Sequence, residues 1–217
     1  MTRVQSWFRN MGFVLTVLSM SACSIAVNLQ RPVPEKQHFI LDVQRTAATA
    51  HGPDGSRLVL GPVRVAPEFE SRAFVYQVEA QRYESDFYHL WLTSPRDQVS
   101  RVVTEWFQES GVFREVVPPA LSGAADYRLD LSVTRLYWDL RDPGEPVAHL
   151  TVRAHLSAGL RPERDVRLST RVEAGERAAS AAAQDRVTAM SRAFSRALAE
   201  LEVEVARAVG GQPASGP

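Results

Sequence analysis

Few side chains in this sequence have the type and spacing that chemistry needs. There is one cysteine, Cys23, placed directly after Leu18-Ser19-Met20-Ser21-Ala22. A lone thiol can act as a nucleophile, bind a metal or carry a covalent attachment, but it has no partner in the chain for a disulfide. His149 and His155 share parity in an alternating run, yet six residues of strand separate them by roughly 20 Å, too far for one metal ion. His89 sits in an aromatic stretch and reads as a packed histidine with one hydrogen bond. Asp139, Asp142 and Glu145 surround Pro143-Gly144 and read as a charged turn rather than a cation site. No serine stands in a Gly-x-Ser-x-Gly elbow, and there is no Gly-x-Gly-x-x-Gly or Walker loop. The residues therefore point to no catalytic set, metal or cofactor. What remains is aromatic. Phe74, Tyr76, Phe87, Tyr88 and Trp91 occupy a segment without clean alternation, and Tyr137 and Trp138 close a strand where alternation fails. Such residues are either core or an apolar contact surface for a protein partner or a lipid chain, since aromatics dominate interface hot spots.

The surroundings of Cys23 decide its chemistry. Arg3 and Arg9 make a positive start, and Met11 to Met20 is an apolar run about half the ~20 residues of a membrane-spanning helix. The small residues Ser21 and Ala22 follow, in the order of a secretory signal. A single cysteine directly after them resembles the lipobox of bacterial lipoproteins, with Met20 where leucine is usual. That resemblance implies cleavage before Cys23, which becomes the acylated first residue. Each buried CH₂ of an attached chain contributes ~0.8 kcal/mol, and more than one chain makes attachment stable. Cys23 is thus expected to be an anchor. Ser24 follows it, not Asp, which by the sorting rule for such lipoproteins favours the outer membrane over the inner one.

Without residues 1–22 the chain keeps enough length for one good-sized domain. The whole sequence has 25 basic and 25 acidic residues. A balanced chain lacks the basic stripe of a nucleic-acid-binding protein, so no nucleic-acid partner is expected. Residues 23–37, with Pro32 and Pro34, read as the acylated cysteine and a tether that reaches at most ~50 Å extended and roughly 20 Å as a coil.

From 38 to 209 the pattern is that of one α+β domain. His38 to Val43 reads as a first strand. Thr46 to Ser56 reads as a loop with Gly52-Pro53-Asp54-Gly55 turn chemistry, and Arg57 to Val65 as a second strand marked as edge or bulge by Pro62. Phe74 to Val78 and Arg82 to Leu92 are strand-like. Ser94-Pro95-Arg96-Asp97 starts a helix with a cap, a first-turn proline and a first-turn acid. Val99, Val102, Val103, Trp106 and Phe107 continue it at helical spacing, and Gly111 stops it. Val112 to Val117 is a short strand. The runs Tyr127–Val133, Leu150–Leu160 and Val166–Ala174 alternate cleanly, are joined by turn residues and predict an antiparallel meander with one wet face. From about Ser180 to Ala208 an apolar stripe through Val187, Met190, Phe194, Leu198, Leu201 and Val205 predicts a long helix covering the dry face. Residues 210–217 read as a disordered tail. The expected class is α+β: a mixed, largely antiparallel sheet with two main helices packed on one face.

The order of lipobox, proline-bearing tether, His38–Asp42 strand, Leu58–Val65 strand, Phe74–Tyr88 segment, Trp91, Ser94-Pro95 helix to Phe107 and Gly111-Val112-Phe113 resembles the ABC-type transport auxiliary lipoproteins of the PqiC type. The family usually has an acidic residue and proline directly after its tryptophan, whereas Trp91-Leu92-Thr93-Ser94-Pro95 separates the two. The resemblance implies a non-enzymatic, outer-membrane-anchored periplasmic subunit of an MCE-type ABC system that moves lipids between membranes. Its partners would be an MCE-domain periplasmic protein and, through it, an inner-membrane ABC permease and ATPase. Whether the domain also holds phospholipid is left open by the residues, and apolar strand ends leave room for a ring or dimer. Two other readings stand beside it. One is a structural or assembly lipoprotein that partners an outer-membrane β-barrel. The other is a lipid-modifying enzyme whose catalytic residues converge from distant positions.

Overall fold

The computed structural model describes residues 35–46, 55–159 and 165–210. Cys23, most of the tether, the Gly52-Pro53-Asp54 turn, the Arg161-Pro162-Glu163 turn and residues 211–217 lie outside them. A compact unit begins at Lys36. In chain order its elements are β1 (Gln37–Phe39), β2 (Arg57–Leu60), β3 (Arg64–Val65), β4 (Ala73–Gln77), β5 (Tyr83–Trp91), α1 (Pro95–Ser110), β6 (Glu115–Val117), β7 (Tyr127–Asp139), β8 (Val147–Ala158), β9 (Val166–Arg177) and α2 (Ala183–Gly210).

The sheet is built around β7. On one edge β8 pairs with it antiparallel from Tyr127↔Ala158 to Asp139↔Val147, and β9 extends the meander. On the other edge three short strands line up in succession, all parallel to β7: β2 at Leu58–Leu60, β3 at Arg64–Val65 and β4 at Tyr76–Gln77. The remaining order runs β1-β5-β4 on one side and β2-β6 on the other. The class is α+β with a mixed sheet, in which the long ladders are antiparallel.

Local chemistry explains where the expected strands were cut. The run Arg57–Val65 divides at Gly61-Pro62. The Gly61 amide still reaches Leu129 O at 2.8 Å, but Pro62 has no N–H to give, so pairing resumes only at Arg64. The first strand ends at Phe39 instead of Val43. Beyond it the backbone is held by side chains. The Leu41 amide donates to Gln98 Oε1 at 2.6 Å, Arg101 donates to Leu41 O at 2.7 Å, and the Asp42 amide donates to Ser191 Oγ at 3.2 Å. Residues 40–46 are therefore a strap drawn across both helices. Arg45 fixes its far end with a double hydrogen bond to Glu202 of α2, whose Oε2 also accepts from Trp106 Nε1 of α1 at 2.8 Å.

Helix α1 begins and ends as its sequence requires. Ser94 Oγ accepts from the Asp97 amide, Pro95 occupies the first turn, and Gly111 takes φ +72° as the left-handed C-terminal residue. Helix α2 buries every member of the expected stripe, from Val187 to Val205, against β8 and β9. Each such side chain contributes roughly 1.5–3 kcal/mol relative to exposure. Gly210, expected in the tail, closes this helix.

The broken alternation at the end of β7 is a β-bulge. Val133 pairs with Val152 and Arg135 with Thr151, leaving Thr134 without an opposite residue. Before it Tyr127, Leu129, Leu131 and Val133 enter the core. After it parity shifts and Leu136 and Trp138 enter. The strand thereby keeps one apolar face along all of its length.

Candidate functional site

The aromatic residues singled out by the sequence divide into two groups. Phe74 is fully buried, with its ring centre 4.6 Å from that of Trp138 and 4.7 Å from that of Trp91. Trp138 donates its indole N–H to Arg186 O in α2 at 2.8 Å. Trp91 stacks on Trp138 at 5.7 Å. These three rings are core, where they join β4, β5 and β7 to α2. Tyr76 is buried beside them, under the guanidinium of Arg186. Tyr137, thrown to the opposite face by the bulge, is covered there by Phe69, Tyr83 and His149. Its phenol pKa is raised, chiefly by burial. Only Phe87 and Tyr88 remain at the surface, with Phe87 65 % exposed.

A single carboxylate puts them there. Between β4 and β5 the register breaks: β4 moves two residues, from Val75 to Ala73, while β5 moves five, from Ser85 to Leu90. The surplus residues form a bulge within β5, closed on Asp86. Its Oδ1 accepts from the amides of Tyr88 (2.7 Å) and His89 (3.0 Å), and its Oδ2 accepts the Tyr76 hydroxyl at 2.7 Å and lies 2.6 Å from His89 Nδ1. An aspartate that binds backbone amides two and three residues ahead is a local turn former. With the chain so bound, Phe87 and Tyr88 stand out of the regular pairing of β5 with β4. Their rings stand perpendicular at 5.2 Å, and Lys36 Nζ lies 4.3 Å over Phe87.

The electrostatics follow from these contacts. Burial pushes the Asp86 carboxyl up, but hydrogen bonds from His89, Tyr76 and the two amides outweigh it and bring the pKa to about 2. The Tyr76 phenol is raised, by burial first and then by its bond to the Asp86 anion. His89 is partly buried, tilted against Phe39 and stacked on Phe74. Nothing in the sequence marks this role for Asp86 beyond an aspartate followed by two aromatics and a histidine three residues on. Ile40 and Leu92, both about half exposed, are further surface residues that sequence reasoning passed over.

The other chemical candidates are occupied locally. Asp139 pairs with Arg141, Asp142 Oδ1 accepts from the Gly144 amide, and Glu145 pairs with Arg177, which makes the segment a charged turn. His149 stacks on Tyr137, and burial lowers its pKa against the pull of Asp139. His155 lies farther along β8, opposite Asp130 and Ser169. Among the described residues no group of three His, Cys, Asp or Glu could hold a metal ion, and no helix is long and apolar enough to cross a membrane.

Comparison with known proteins adds the wider context. No curated protein matches the chain. Among solved structures, XCC0632 from Xanthomonas campestris superposes with a TM-score of 0.69 at 19 % identity, covering 81 % of this chain and 97 % of that one. A second, uncharacterised protein gives 0.60 at 14 % identity, covering 79 % and 99 %. At such identities the likeness shows the fold. The family model described as the ABC-type transport auxiliary lipoprotein component matches residues 39–206, which spans the domain from the end of β1 almost to the end of α2. With that model matched over most of its length, the chain belongs to the family of ABC-type transport auxiliary lipoprotein components.

Proposed function

We propose that this protein is held on the periplasmic face of the outer membrane by acyl chains on Cys23 and serves as the auxiliary subunit of an MCE-type ABC system for lipids. In this reading it catalyses nothing. It docks the periplasmic conduit, built by an MCE-domain protein, at the outer membrane and so supports envelope integrity. The ATPase and permease belong to partner chains in the inner membrane. The observation that carries the reading is family membership across residues 39–206. The lone Cys23 behind Ser21-Ala22, with Ser24 after it, supplies the anchor. Phe87 and Tyr88 supply an exposed aromatic contact, for a protein or for lipid, while Phe74, Tyr76, Trp91, Tyr137 and Trp138 are buried.

The test is a crosslinking pull-down of the mature protein from its native membrane, with Cys23→Ala as control. Recovery of an MCE-domain protein together with its ABC permease, dependent on Cys23, is the expected result. Recovery of a β-barrel without any MCE protein would overturn the transport reading in favour of an assembly lipoprotein.

A further inference from the structure

Exposed apolar side chains are unevenly placed on this domain. Among the described residues, Ile40, Tyr83, Phe87, Tyr88 and Leu92 lie in or directly after β1 and β5, at one end of the strand order. Leu121, Val166 and Val203 stand singly elsewhere. The tether enters at the same end. Lys36 directly precedes β1, its ammonium sits over Phe87, and Cys23 lies upstream by a length that spans at most ~45 Å extended and about 20 Å as a coil. Any surface that holds Cys23 is therefore within reach of this corner.

We propose that Phe87 and Tyr88, together with Lys36, seat in the headgroup region of the lipid leaflet that holds the chain's own acyl anchor. This deepens the reading above and rests on its acylated Cys23. The chemistry suits a polar–apolar boundary. Phe87 offers an apolar ring, Tyr88 a ring with a hydroxyl at its tip, and Lys36 a cation for lipid phosphates. Asp86 holds the turn in advance through its amide bonds, so little ordering is left to pay on contact. The contact would orient the domain on the leaflet, leaving anchorage to the acyl chains.

The experiment uses the mature acylated chain in vesicles of phosphatidylethanolamine and phosphatidylglycerol, with and without lipids brominated near the headgroup. Trp91, Trp106 and Trp138 are buried and shielded from bromine. Phe87→Trp adds a fourth emitter at the proposed contact, and Tyr88→Trp is a second variant at the same place. Leu121→Trp is the control, at a 59 % exposed position just after β6, which reaches β7 through β2 at Leu129, roughly 30 Å along β7 from the Trp138 position where β4 leads to β5. The expected result is loss of the added emission on bromination for Trp introduced at 87 or 88, with no loss at 121. The proposal is overturned if the protein floats with the vesicles and the introduced Trp at 87 and 88 keeps its emission, or if all three positions are quenched alike. It is also overturned if a photo-crosslinker at 87 in cells yields a protein adduct and no lipid adduct. If the wild-type chain fails to float, the anchor reading itself falls and this proposal with it, an outcome the flotation step separates from the others.

Discussion

The Tyr76 hydroxyl donates to Asp86 Oδ2 at 2.7 Å, across the hairpin from β4 to β5. The same carboxylate binds the amides that carry Tyr88 and His89. A buried phenol is thus satisfied by the group that pushes two aromatic rings into solvent, and core and surface are set by one side chain.

Asp86→Ala removes these acceptors together. The Tyr76 hydroxyl is left buried without its partner, and the turn amides lose theirs. The expected cost is about 2–3 kcal/mol, read as a lower denaturation midpoint. Asp86→Asn keeps one oxygen for the amides and should lose less. If Asp86→Ala matched wild type, the carboxylate would not be what holds the turn.

Acid should act through the same group. The folded pKa of about 2 lies below the usual carboxylate value of 3.8. Unfolded chains therefore bind the proton more readily, and Asp86 stabilises the fold above about pH 4. That contribution, on the order of 1–2 kcal/mol after solvent screening, is lost as pH falls towards 2. The gap between wild type and Asp86→Asn should close over that range and stay constant above it. A gap independent of pH would rule out the depressed pKa.

Most of the fold is legible in the sequence because its strongest periodicities are tertiary facts. The alternation of β7 and β8 and the α2 stripe each have a single buried face and form with that face inward; β9 follows at Val172 and Ala174, whereas Val166, beyond the register shift at Leu156 and Ser157, is exposed. The Ser94-Pro95 start and Gly111 stop are purely local and appear as read. The parallel pairing of β2, β3 and β4 with β7 left no such mark, because short strands of two to five residues show too few side chains to fix a register. The strap at 40–46 was invisible for another reason. Its backbone bonds go to Gln98, Arg101 and Ser191, side chains far away in sequence. Alternation failed at Tyr137 and Trp138 because of the bulge at Thr134, and at Phe87 and Tyr88 because of Asp86. The same irregularity in pattern therefore had two outcomes, a covered ring and an exposed one.

Glu202 is the polar tie that joins α2 to the strap and to α1. Its carboxylate pairs with Arg45 at 2.7 Å, with side chains 6 % and 7 % exposed, and accepts from Trp106. Glu202→Gln keeps an acceptor for Trp106 but removes the anion that faces the Arg45 charge, at an expected cost of about 1.5–3 kcal/mol. Adding Arg45→Met removes that charge and should restore most of the loss. Additive denaturation midpoints in the double variant would show that the two do not act as a pair.

Gly61 tests whether an ion pair is what demands a glycine. Arg128 and Asp130 form a double hydrogen bond at 2.9 Å, and it crosses directly over the Gly61 backbone. A methyl group there would fall 2.9 Å from the Asp130 carboxyl carbon and closer still to Oδ1. The backbone itself presents no obstacle, because Gly61 is not among the glycines with positive φ. Gly61→Ala must then displace the carboxylate and weaken its bond to Arg128, at about 1 kcal/mol for a partly exposed pair. In an Asp130→Ala background the carboxylate is gone and the released end of Arg128, 3.0 Å from the methyl, can swing aside, so the same substitution should change sign. It would then stabilise by roughly 0.4–1 kcal/mol through the lower entropy of the unfolded chain. Denaturation of the four proteins of this cycle measures both effects. An unchanged penalty in the Asp130→Ala background would place the constraint on the backbone approach to β7 and not on the ion pair.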